Sequence, residues 1–547
     1  MDTRRALHMA IILLFTTAAY AGSFSGGFVS DDVTAIAGNP LLRSLAPSNL
    51  RAIVTSFDDA NYIPLKVLSL ALDYQLWGLD PAGYHAVNLA IHVINALLVY
   101  LLLLRLREPA GTALAVALLW AVHPAQVESV AWISERKNVL STLFFLLGFL
   151  VYLRFSERPR ARSYLLLLAL SVCALLTKVN TIVLPAIMVA YEVGERFRLR
   201  GRDLAATVPL LAAGAFLAWV NLHGNPSHGA AYHGGSLAVT MRTMTTVLPR
   251  YLALVVAPWQ LSFYHAVPLR SSWLEPAVLT GLLTLLVSTA IAVVLIARRR
   301  RGAFWIAWFF VTLAPMLNLV PFPALMADRY LYIPLLAPLV LMTWGMRSLA
   351  TRFPLLGRSV PALAAAAALA CVGFTLARVP VFRSDVSLWA DWAVRTPYIT
   401  ADRPYGPKPR PAELRILRDA LARNSASAAL HNNIGGIAFE EGRLSDALTE
   451  LTQAHRLDPQ DPAIALNLGR VYLHAGEPAA AARALEDAVR LEPPSYFAWL
   501  NLGRAYLHLR DAPRARQALE RARRMRPEWQ DWRREWFVLE QLERGAA

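Results

Sequence analysis

The sequence predicts an all-α membrane protein with two parts, a polytopic bundle of membrane helices followed by a soluble solenoid of paired helices. The chain has 547 residues, of which 56% are hydrophobic, and its mean hydropathy is +0.40. Apolar runs of 16 to 22 residues recur from Ala6 to Arg378 and then stop. A helix that crosses a bilayer needs roughly 20 apolar residues, so these runs predict membrane spans. Residues 428–547 instead repeat with a period of 34 residues.

Eleven spans are predicted, and the first follows Arg4 and Arg5. This start also fits a cleavable signal peptide that ends at Ala19-Tyr-Ala21, but ten further spans make an uncleaved first helix the simpler interpretation. The predicted spans cover residues 6–23, 84–104, 110–127, 138–154, 163–178, 180–194, 204–222, 275–297, 302–319, 329–347 and 359–378.

The distribution of arginines among the loops predicts the orientation of the chain in the membrane. With the N-terminus in the cytoplasm, the inner loops hold 19 arginines and no lysine, as the positive-inside bias requires. The apolar stretch Val239 to Pro258 is interpreted as re-entrant or as lying on the outer surface, because counting it as a span would place Arg298 to Arg301 outside. The soluble tail then lies outside. The excess of Arg over Lys favours a bacterial inner membrane with a periplasmic tail.

The charge distribution argues against nucleic acid as a partner. The net charge is +16, yet residues 380–547 carry 24 basic and 22 acidic residues, so almost all of the excess lies in the membrane part. A nucleic-acid-binding tail would need a basic face. Cys173 and Cys371 both fall in apolar segments, so no disulfide framework is predicted.

The tail carries three helix-pair repeats. A 34-residue period with small residues where two helices cross, and Pro after the second helix, is the tetratricopeptide signature. The repeated columns are Asn433, Asn467 and Asn501; Gly435, Gly469 and Gly503; Ala447, Ala481 and Ala515; Leu451, Leu485 and Leu519; and Pro459, Pro493 and Pro527.

Segments on both sides of the repeats complete the predicted organisation. Trp529 to Leu542 is interpreted as a capping helix, Ser387 to Pro397 as a degenerate repeat and Tyr398 to Pro411 as a Pro-rich connector. The predicted divisions are a membrane domain (1–379), a linker (380–427) and the repeat domain (428–547).

The asparagine column offers two interpretations. Repeat arrays bind extended peptides on their concave face, where Asn433, Asn467 and Asn501 would hydrogen-bond a peptide backbone. Alternatively, these side chains bond the neighbouring repeat. A repeat array rarely carries out chemistry, so any catalysis is expected in the membrane part.

Two adjacent carboxylates, Asp31 and Asp32, follow the first apolar segment. Like charges at a membrane edge repel each other and are costly to desolvate, so a function in proton abstraction, metal holding or cation binding is expected. The alternative is that they cap the helix after Val33.

Further polar groups fall at predicted outer boundaries. The chain has 50 arginines but only four lysines, and three of these lie at such boundaries. Lys is a compact donor suited to a phosphate oxygen. These cations and carboxylates predict one wet cavity suited to group transfer from a lipid-linked phosphate. The candidate donor- and substrate-binding residues are Lys66, His85, Glu128, Arg136, Lys137, Lys178, Arg329 and Tyr330.

Several of these candidates also have structural interpretations. Glu128 could pair with Arg136 to hold a loop, and Tyr330 and Tyr332 could belong to an interfacial aromatic belt, an interpretation favoured for Tyr332. The second span contains two histidines, His85 and His92, seven residues apart. Buried, hydrogen-bonded roles are favoured for both over roles as ligands. The loop histidines, which are interpreted as solvated, are His228, His233 and His265.

The sequence has no His/Cys metal box, Walker loop, Gly-rich nucleotide motif or Gly-x-Ser-x-Gly elbow.

In combination, these motifs resemble the transmembrane and tetratricopeptide-repeat-containing O-mannosyltransferases and their bacterial relatives. The resemblance runs through nearly the whole chain and implies a membrane domain of GT-C type. It rests on Phe28-Val-Ser-Asp-Asp32, Tyr62-Ile-Pro-Leu65, Gly83-Tyr-His-Ala-Val-Asn88, His123-Pro-x-x-Val-Glu-Ser-Val-Ala-Trp132 with Arg136-Lys137, Thr177-Lys178 and Arg329-Tyr-Leu-Tyr-Ile-Pro334.

The resemblance implies a polyprenyl-phosphate sugar donor, a protein Ser/Thr acceptor, an outer-leaflet site and an acidic base in the first outer loop. That base maps to Asp31 or Asp32, with a slight preference for Asp32. A cofactor is not firmly implied, although a divalent cation at this pair is compatible. The chain departs from its relatives at Ile63, where an Arg is usual, and at Val179, where a Glu is usual.

Two other functions compete with this hypothesis. One is a non-catalytic membrane scaffold whose repeats recruit envelope proteins. The other is a transporter of lipid phosphate or polysaccharide, which the clustering of charges on the outer side disfavours, because transport needs polar groups near the midplane.

Overall fold

The computed structural model describes residues 3–58, 61–224, 232–265, 267–322, 324–395, 411–423, 425–491, 495–525 and 531–545. Across these ranges all regular elements are helices, apart from an isolated bridge between Asp58 and Asn61, and the all-α prediction is therefore confirmed. Several predicted features fall outside the described residues: Pro397, the connector from Tyr398 to Arg410, the solvated His228, the prolines Pro493 and Pro527, and Trp529.

The chain divides into two compact units. The first comprises residues 1–230, 246–264 and 279–385, and the second comprises 231–245, 265–278 and 386–547. The domain boundaries predicted at residues 379 and 427 stay predictions.

The first 378 residues contain mostly apolar helices, which are joined by turns, 3₁₀ segments and longer loops. They are α1 (Thr3–Tyr20), α2 (Pro47–Thr55), α3 (Pro64–Trp77), α4 (Pro81–Arg105), α5 (Ala110–Val122), α6 (Val127–Ala131), α7 (Arg136–Glu157), α8 (Ala161–Thr177), α9 (Leu184–Gly194), α10 (Gly201–His223), α11 (Leu237–Val256), α12 (Pro276–Ala297), α13 (Ala303–Leu313), α14 (Leu336–Arg352) and α15 (Pro354–Arg378).

Six helices in the described part of the chain are long and apolar enough to cross a membrane, or seven if one bent pair counts as a single span. The six coincide with predicted spans, and the bent pair, Ala110–Val122 with Pro124–Ala131, covers the span predicted at 110–127. Three further apolar helices have only 10–17 residues. The total of eleven spans stays a prediction. The six are Thr3–Ser25, Pro81–Arg105, Ile133–Glu157, Gly201–His223, Pro276–Ala297 and Ser359–Arg383.

The break between α5 and α6 brings polar residues to one place. The axis bends by 50° at His123, whose backbone is extended because Pro124 disfavours a helical residue before it. The His123 ring accepts a hydrogen bond from the Ala125 N–H (3.2 Å) and lies 3.1 Å from the carbonyl oxygen of Val255. This break interrupts the apolar run and places α6 and the 3₁₀ turn Ile133–Glu135 between two long helices.

The helices of the C-terminal part follow the predicted period. The first helices of the three repeats begin 34 residues apart, and so do the second helices. In chain order the helices are α16 (Asp385–Arg395), α17 (Pro411–Arg423), α18 (Ala428–Glu440), α19 (Leu444–Leu457), α20 (Pro462–His474), α21 (Pro478–Leu491), α22 (Tyr496–His508), α23 (Ala512–Met525) and α24 (Asp531–Gly545).

The repeated Gly and Leu columns form the contact within each helix pair. A Cβ atom on Gly435 would lie 2.7 Å from a side-chain carbon of Leu451, and the equivalent distance from Gly469 to Leu485 is 2.5 Å. Only a residue without a side chain lets the two helices approach this closely. After the third pair, α24 covers the apolar face with Leu539, Trp532 and Trp536, as expected of a capping helix, although Trp529 lies outside the described residues.

Candidate active site

Asp32 is fully buried in the loop that follows α1. Its Oδ2 accepts a hydrogen bond from the Val29 N–H (3.1 Å), and its Oδ1 accepts one from the Ser134 N–H (2.7 Å). Burial raises the pKa of the Asp32 carboxyl to about 7, while the hydrogen bonds and the Lys66 charge lower it. A carboxyl with a pKa near neutrality is suited to act as a general base.

Asp31 differs from its neighbour in environment. It is half-buried, its carbonyl oxygen accepts from the Ala35 N–H (2.8 Å), and the Ser30 hydroxyl lies 3.4 Å from its Oδ1. The capping alternative for Asp32 is wrong. Asp32 precedes the helical turn Val33–Ala37, but its side chain makes no capping hydrogen bond there and turns instead toward Ser134.

The loop that carries Asp32, residues 26–32, is held in a strained conformation. Ser30 has a φ of +51°, a left-handed conformation that a residue with a side chain rarely adopts. Its N–H donates to Oδ1 of Asp385 (2.6 Å), and the Gly27 N–H donates to the carbonyl oxygen of Arg383 (2.9 Å). Two hydrogen bonds therefore tie the loop to the segment that follows α15.

His85 lies beneath the same loop. A Cβ atom on Gly26 would lie 2.9 Å from Nε2 of His85, so the close approach of ring and backbone requires glycine there. His85 is buried, as expected. The His85 ring therefore packs against the backbone of the loop that carries Asp32.

A group of cations lies close to the carboxylates of Glu128 and Glu135. The Arg329 guanidinium pairs with the Glu128 carboxylate, which also accepts the backbone N–H of Arg329 (2.7 Å). Arg329 further approaches Glu135 (3.5 Å) and lies over the rings of Trp132 (5.7 Å) and Tyr330 (5.2 Å). The guanidinium is thus held between two carboxylates and two aromatic faces.

Two lysines complete this group. Lys137 pairs with Glu135 (3.2 Å) and Lys178 donates to Oδ1 of Asn138, whose amide donates to the carbonyl oxygen of Arg329 (3.3 Å). Burial lowers the pKa of Lys178 to about 8, and the nearby Glu135 charge opposes the shift. These three cations face Glu128 and Glu135, and the charge of buried Asp328 also acts on Glu128, so cations and carboxylates are equal in number. We name Lys137, Lys178 and Arg329 the cation triad.

One short segment joins Asp32 to the cation triad. Ser134 binds the Asp32 carboxylate through its N–H, and the next residue, Glu135, contacts both Lys137 and Arg329. Trp132 adds a second link, because its indole N–H donates to the carbonyl oxygen of Val29 (3.2 Å). Residues 132–135 thus connect the Asp32 loop with Lys137 and Arg329 of the cation triad.

Arg136 and Lys66 have different environments from the triad. Arg136 is fully buried and donates to Asp73 (2.6 Å), to the Ser69 hydroxyl (2.7 Å) and to Asn88. The predicted alternative that Glu128 pairs with Arg136 is wrong, because Glu128 binds Arg329. Lys66 pairs with buried Asp58 (2.6 Å). Arg136 and Lys66 therefore form ion pairs with Asp73 and Asp58 inside the protein.

Tyr332 is not part of an aromatic belt. It is buried, and its hydroxyl lies 2.7 Å from Nδ1 of His92 and accepts from Asn95 (3.2 Å). His92 also lies 2.9 Å from the carbonyl oxygen of Ala121, which agrees with the buried, hydrogen-bonded role expected for it. Tyr330 is only half-buried and stays beside Arg329.

Sequence reasoning overlooked several partners that complete the site. Glu135 and Asn138 lie in or beside the polar segment already singled out, so their position near Lys137 was the available signal. Asp73 and Asp385 carried no signal, because their partners are 63 and 355 residues away, and Asp58 was overlooked although Lys66 is only eight residues away. Ile63 and Val179 are the two positions where the chain differs from the resembling family. Ile63 is buried and precedes α3, and Val179 begins the turn after Lys178.

The donor set does not fit a divalent cation at the aspartate pair. Ca²⁺ and Mg²⁺ prefer several converging oxygen ligands. Each oxygen of Asp32 instead accepts a backbone N–H, and in the described ranges no three His, Cys, Asp or Glu side chains gather as a metal site.

The asparagines of the repeats have unequal surroundings. The Asn467 amide donates to Oδ1 of Asn432 in the preceding repeat (3.1 Å), while Asn433 is buried. Asn501 donates to the carbonyl oxygen of Phe497 (2.8 Å), accepts from Arg504 (3.3 Å) and lines a groove. Asn467 thus matches the inter-repeat interpretation, and Asn501 lies where a peptide could reach it.

Known proteins resemble both parts of the chain. Tetratricopeptide-repeat family models match residues 438–493 and 466–528. Protein O-mannosyl-transferase Tmtc3 of Drosophila melanogaster is 25% identical over 550 residues, which cover 84% of this chain and 56% of that protein. Protein O-mannosyl-transferase TMTC1 of Mus musculus is 35% identical over 193 residues, or 32% of this chain and 20% of that protein.

Human Protein O-mannosyl-transferase TMTC3 is 33% identical over 228 residues, which cover 38% of this chain and 23% of that protein. The chain thus spans between a fifth and just over half of the length of these relatives. A solved structure, the APC/C hetero-tetramer Cut9-Hcn1, covers 88% of this chain and 92% of its own at 14% identity and a TM-score of 0.28, which supports no statement about fold or function. Because the similarity to Tmtc3 extends through most of the chain and the repeats match on their own, the chain is a homologue of the TMTC protein O-mannosyl-transferases that carries tetratricopeptide repeats.

Proposed function

We propose that this protein is a membrane glycosyltransferase that moves a mannosyl group from a polyprenyl phosphate to a Ser or Thr hydroxyl of a protein on the outer face of a bacterial inner membrane. The names of its relatives support protein O-mannosyl transfer. The observation that carries the proposal is that consecutive residues, Ser134 and Glu135, contact the buried Asp32 and two members of the cation triad.

Asp32 is the proposed general base. Its pKa of about 7 lets a substantial fraction of the carboxylate be ionised at neutral pH while keeping it basic enough to accept a hydroxyl proton. The acceptor oxygen then forms its bond to the anomeric carbon as the proton passes to Asp32. The two backbone N–H bonds fix the carboxylate in place, so little reorganisation is needed when the proton arrives.

The cation triad is the proposed site of the leaving phosphate. As the bond between the anomeric carbon and the phosphate oxygen breaks, negative charge grows on the phosphate. Lys178 and Lys137 supply compact donors, and Arg329 supplies a fixed planar fork. Glu128 and Glu135 hold these cations in position before the donor binds.

The decisive experiment offers the purified full-length protein a panel of polyprenyl-phosphate sugars and Ser/Thr peptides. Mass spectrometry of the peptides is expected to detect a hexose added only with the mannosyl donor. Absence of any sugar transfer from the whole panel would contradict the proposed function.

The pH dependence should form a narrow bell. Below pH about 7 Asp32 becomes protonated and cannot accept a proton, so kcat/KM should fall about tenfold per pH unit. Above pH about 8 Lys178 loses its charge and phosphate stabilisation weakens. The rate is measured at limiting donor concentration between pH 5.5 and 9.5, and a flat profile through pH 7 would exclude Asp32 as the titrating base.

Loss of the hydrogen bond between Ser30 and Asp385 should lower the rate of sugar transfer. Asp385→Ala removes the acceptor that holds the strained loop, and a hydrogen bond to a charged group contributes about 1.5–3 kcal/mol. We expect kcat to fall about tenfold, with the apparent pKa of the acidic limb unchanged and faster amide exchange in residues 27–33. Asp487→Ala, at an exposed position in α21, is the control. Unchanged exchange in the loop would refute this role for Asp385.

A further inference from the structure

The repeat region contains a groove of about 610 Å³ between the first helices of the second and third repeats and the capping helix. Its lining comes from α20, α22 and α24. Phe497, Leu500 and Val538 supply an apolar floor, and Asn501 supplies an amide. Concave faces of this kind on stacked helix pairs accommodate extended chains.

Basic residues outnumber acidic residues in the lining of the groove. Arg470, Arg504 and Arg534 line it, and Glu535 is the acidic lining residue among those described. The surrounding residues 380–547 carry 24 basic and 22 acidic residues. The lining therefore has a net positive charge, which attracts an anionic ligand of limited size.

Two of the arginines are held in place by the fold. Arg504 pairs with Glu535 (2.7 Å) and donates to Asn501 (3.3 Å), and Arg470 lies over the ring of Phe439 (5.5 Å). Arg534 is exposed one residue before Glu535 on α24. Pre-organised guanidinium groups bind carboxylates through paired hydrogen bonds at a small entropic cost.

We propose that this groove binds an extended acidic polypeptide segment, with Asp or Glu side chains on the arginines and apolar side chains on Phe497 and Val538. Calling that segment the glycosyl acceptor rests on the proposed function. A nucleic acid or an anionic bilayer would engage a broad surface with a large basic excess, whereas basic and acidic residues are nearly equal in number in residues 380–547.

The test measures binding of fluorescein-labelled peptides to the full-length protein in detergent, without sugar donor. One peptide of about ten residues alternates Glu with apolar residues, and the matched peptide has Gln in place of Glu. Arg534→Gln is expected to weaken binding of the acidic peptide about tenfold, the effect of losing one charge-assisted hydrogen-bond pair. Raising the salt concentration should weaken it further, because exposed charges are screened.

Arg483→Gln is the matched control, since it removes the same charge from an exposed position on α21 outside the groove. The control should bind the acidic peptide like the unmodified protein. Equal affinity for the Gln peptide, or an equal loss in Arg483→Gln, would overturn the proposal. Stronger competition by an oligonucleotide or by anionic lipid vesicles than by unlabelled acidic peptide would overturn it as well.

Asp32→Asn separates this inference from the proposed function. It should abolish sugar transfer without changing peptide affinity. Sugar transfer without discrimination between the two peptides would refute the groove proposal alone. Selective peptide binding without transfer from any donor would refute the proposed enzyme alone.

Discussion

Asp32→Asn is expected to lower the rate of mannosyl transfer by about 10²–10⁴-fold, the range that a general base contributes. The amide has nearly the shape of the carboxylate and can still accept the Ser134 N–H, but it cannot take a proton from the acceptor hydroxyl. The rate is measured with saturating donor and peptide. The melting temperature and elution volume of the variant establish whether the fold is retained.

Asp31→Asn is the matched control, because it makes the same change at the adjacent, half-buried position. Its rate should stay within a few-fold of the unmodified protein, since loss of a charge that is partly open to solvent has a small effect. The assignment of the base to Asp32 fails if Asp31→Asn proves the more damaging change.

Lys178→Gln should produce the second largest effect, a fall of about 10²–10³-fold in kcat/KM for the sugar donor, comparable to removal of one oxyanion donor. Gln can still contact Asn138 but carries no charge to oppose that of the departing phosphate. The measurement is a donor titration at neutral pH. A longer polyprenyl chain on the donor should not restore the rate.

Lys66→Gln tests whether the fall in kcat/KM expected for Lys178→Gln is due to catalysis or to a loss of stability. It also removes a lysine, but it leaves Asp58 buried without its ammonium partner, so we expect a lower melting temperature. Lys178→Gln should melt close to the unmodified protein. If the two variants instead lose stability equally, the effect of Lys178 on rate would be structural.

The helical architecture could be read from local patterns. Apolar runs predicted the long helices because backbone hydrogen bonding inside a membrane favours helices. The 34-residue columns located the helix pairs, since the Gly of one helix must meet the Leu of the next. The aromatic-belt interpretation of Tyr332 failed because a hydropathy pattern does not reveal that a distant residue, His92, binds its hydroxyl.

The candidate site could be predicted only in part. The polar segment from His123 to Lys137 and the Asp31-Asp32 pair stood out because charge is costly in an apolar chain. The sequence did not separate the two aspartates, since burial distinguishes them. It also grouped Arg136 with Lys137, although Arg136 is fully occupied by Asp73 and Asn88.

The sequence by itself determined the helical class, the repeat register and the set of charged residues from which a site could be built, because each of these depends on residues close together in the chain. Only the tertiary structure decided which charged and polar residues contact each other. Glu128 and Arg329 are 201 residues apart, and Ser30 and Asp385 are 355 apart. Such contacts form because buried charges and backbone N–H groups require partners, and only the packed fold determines which partner each one meets.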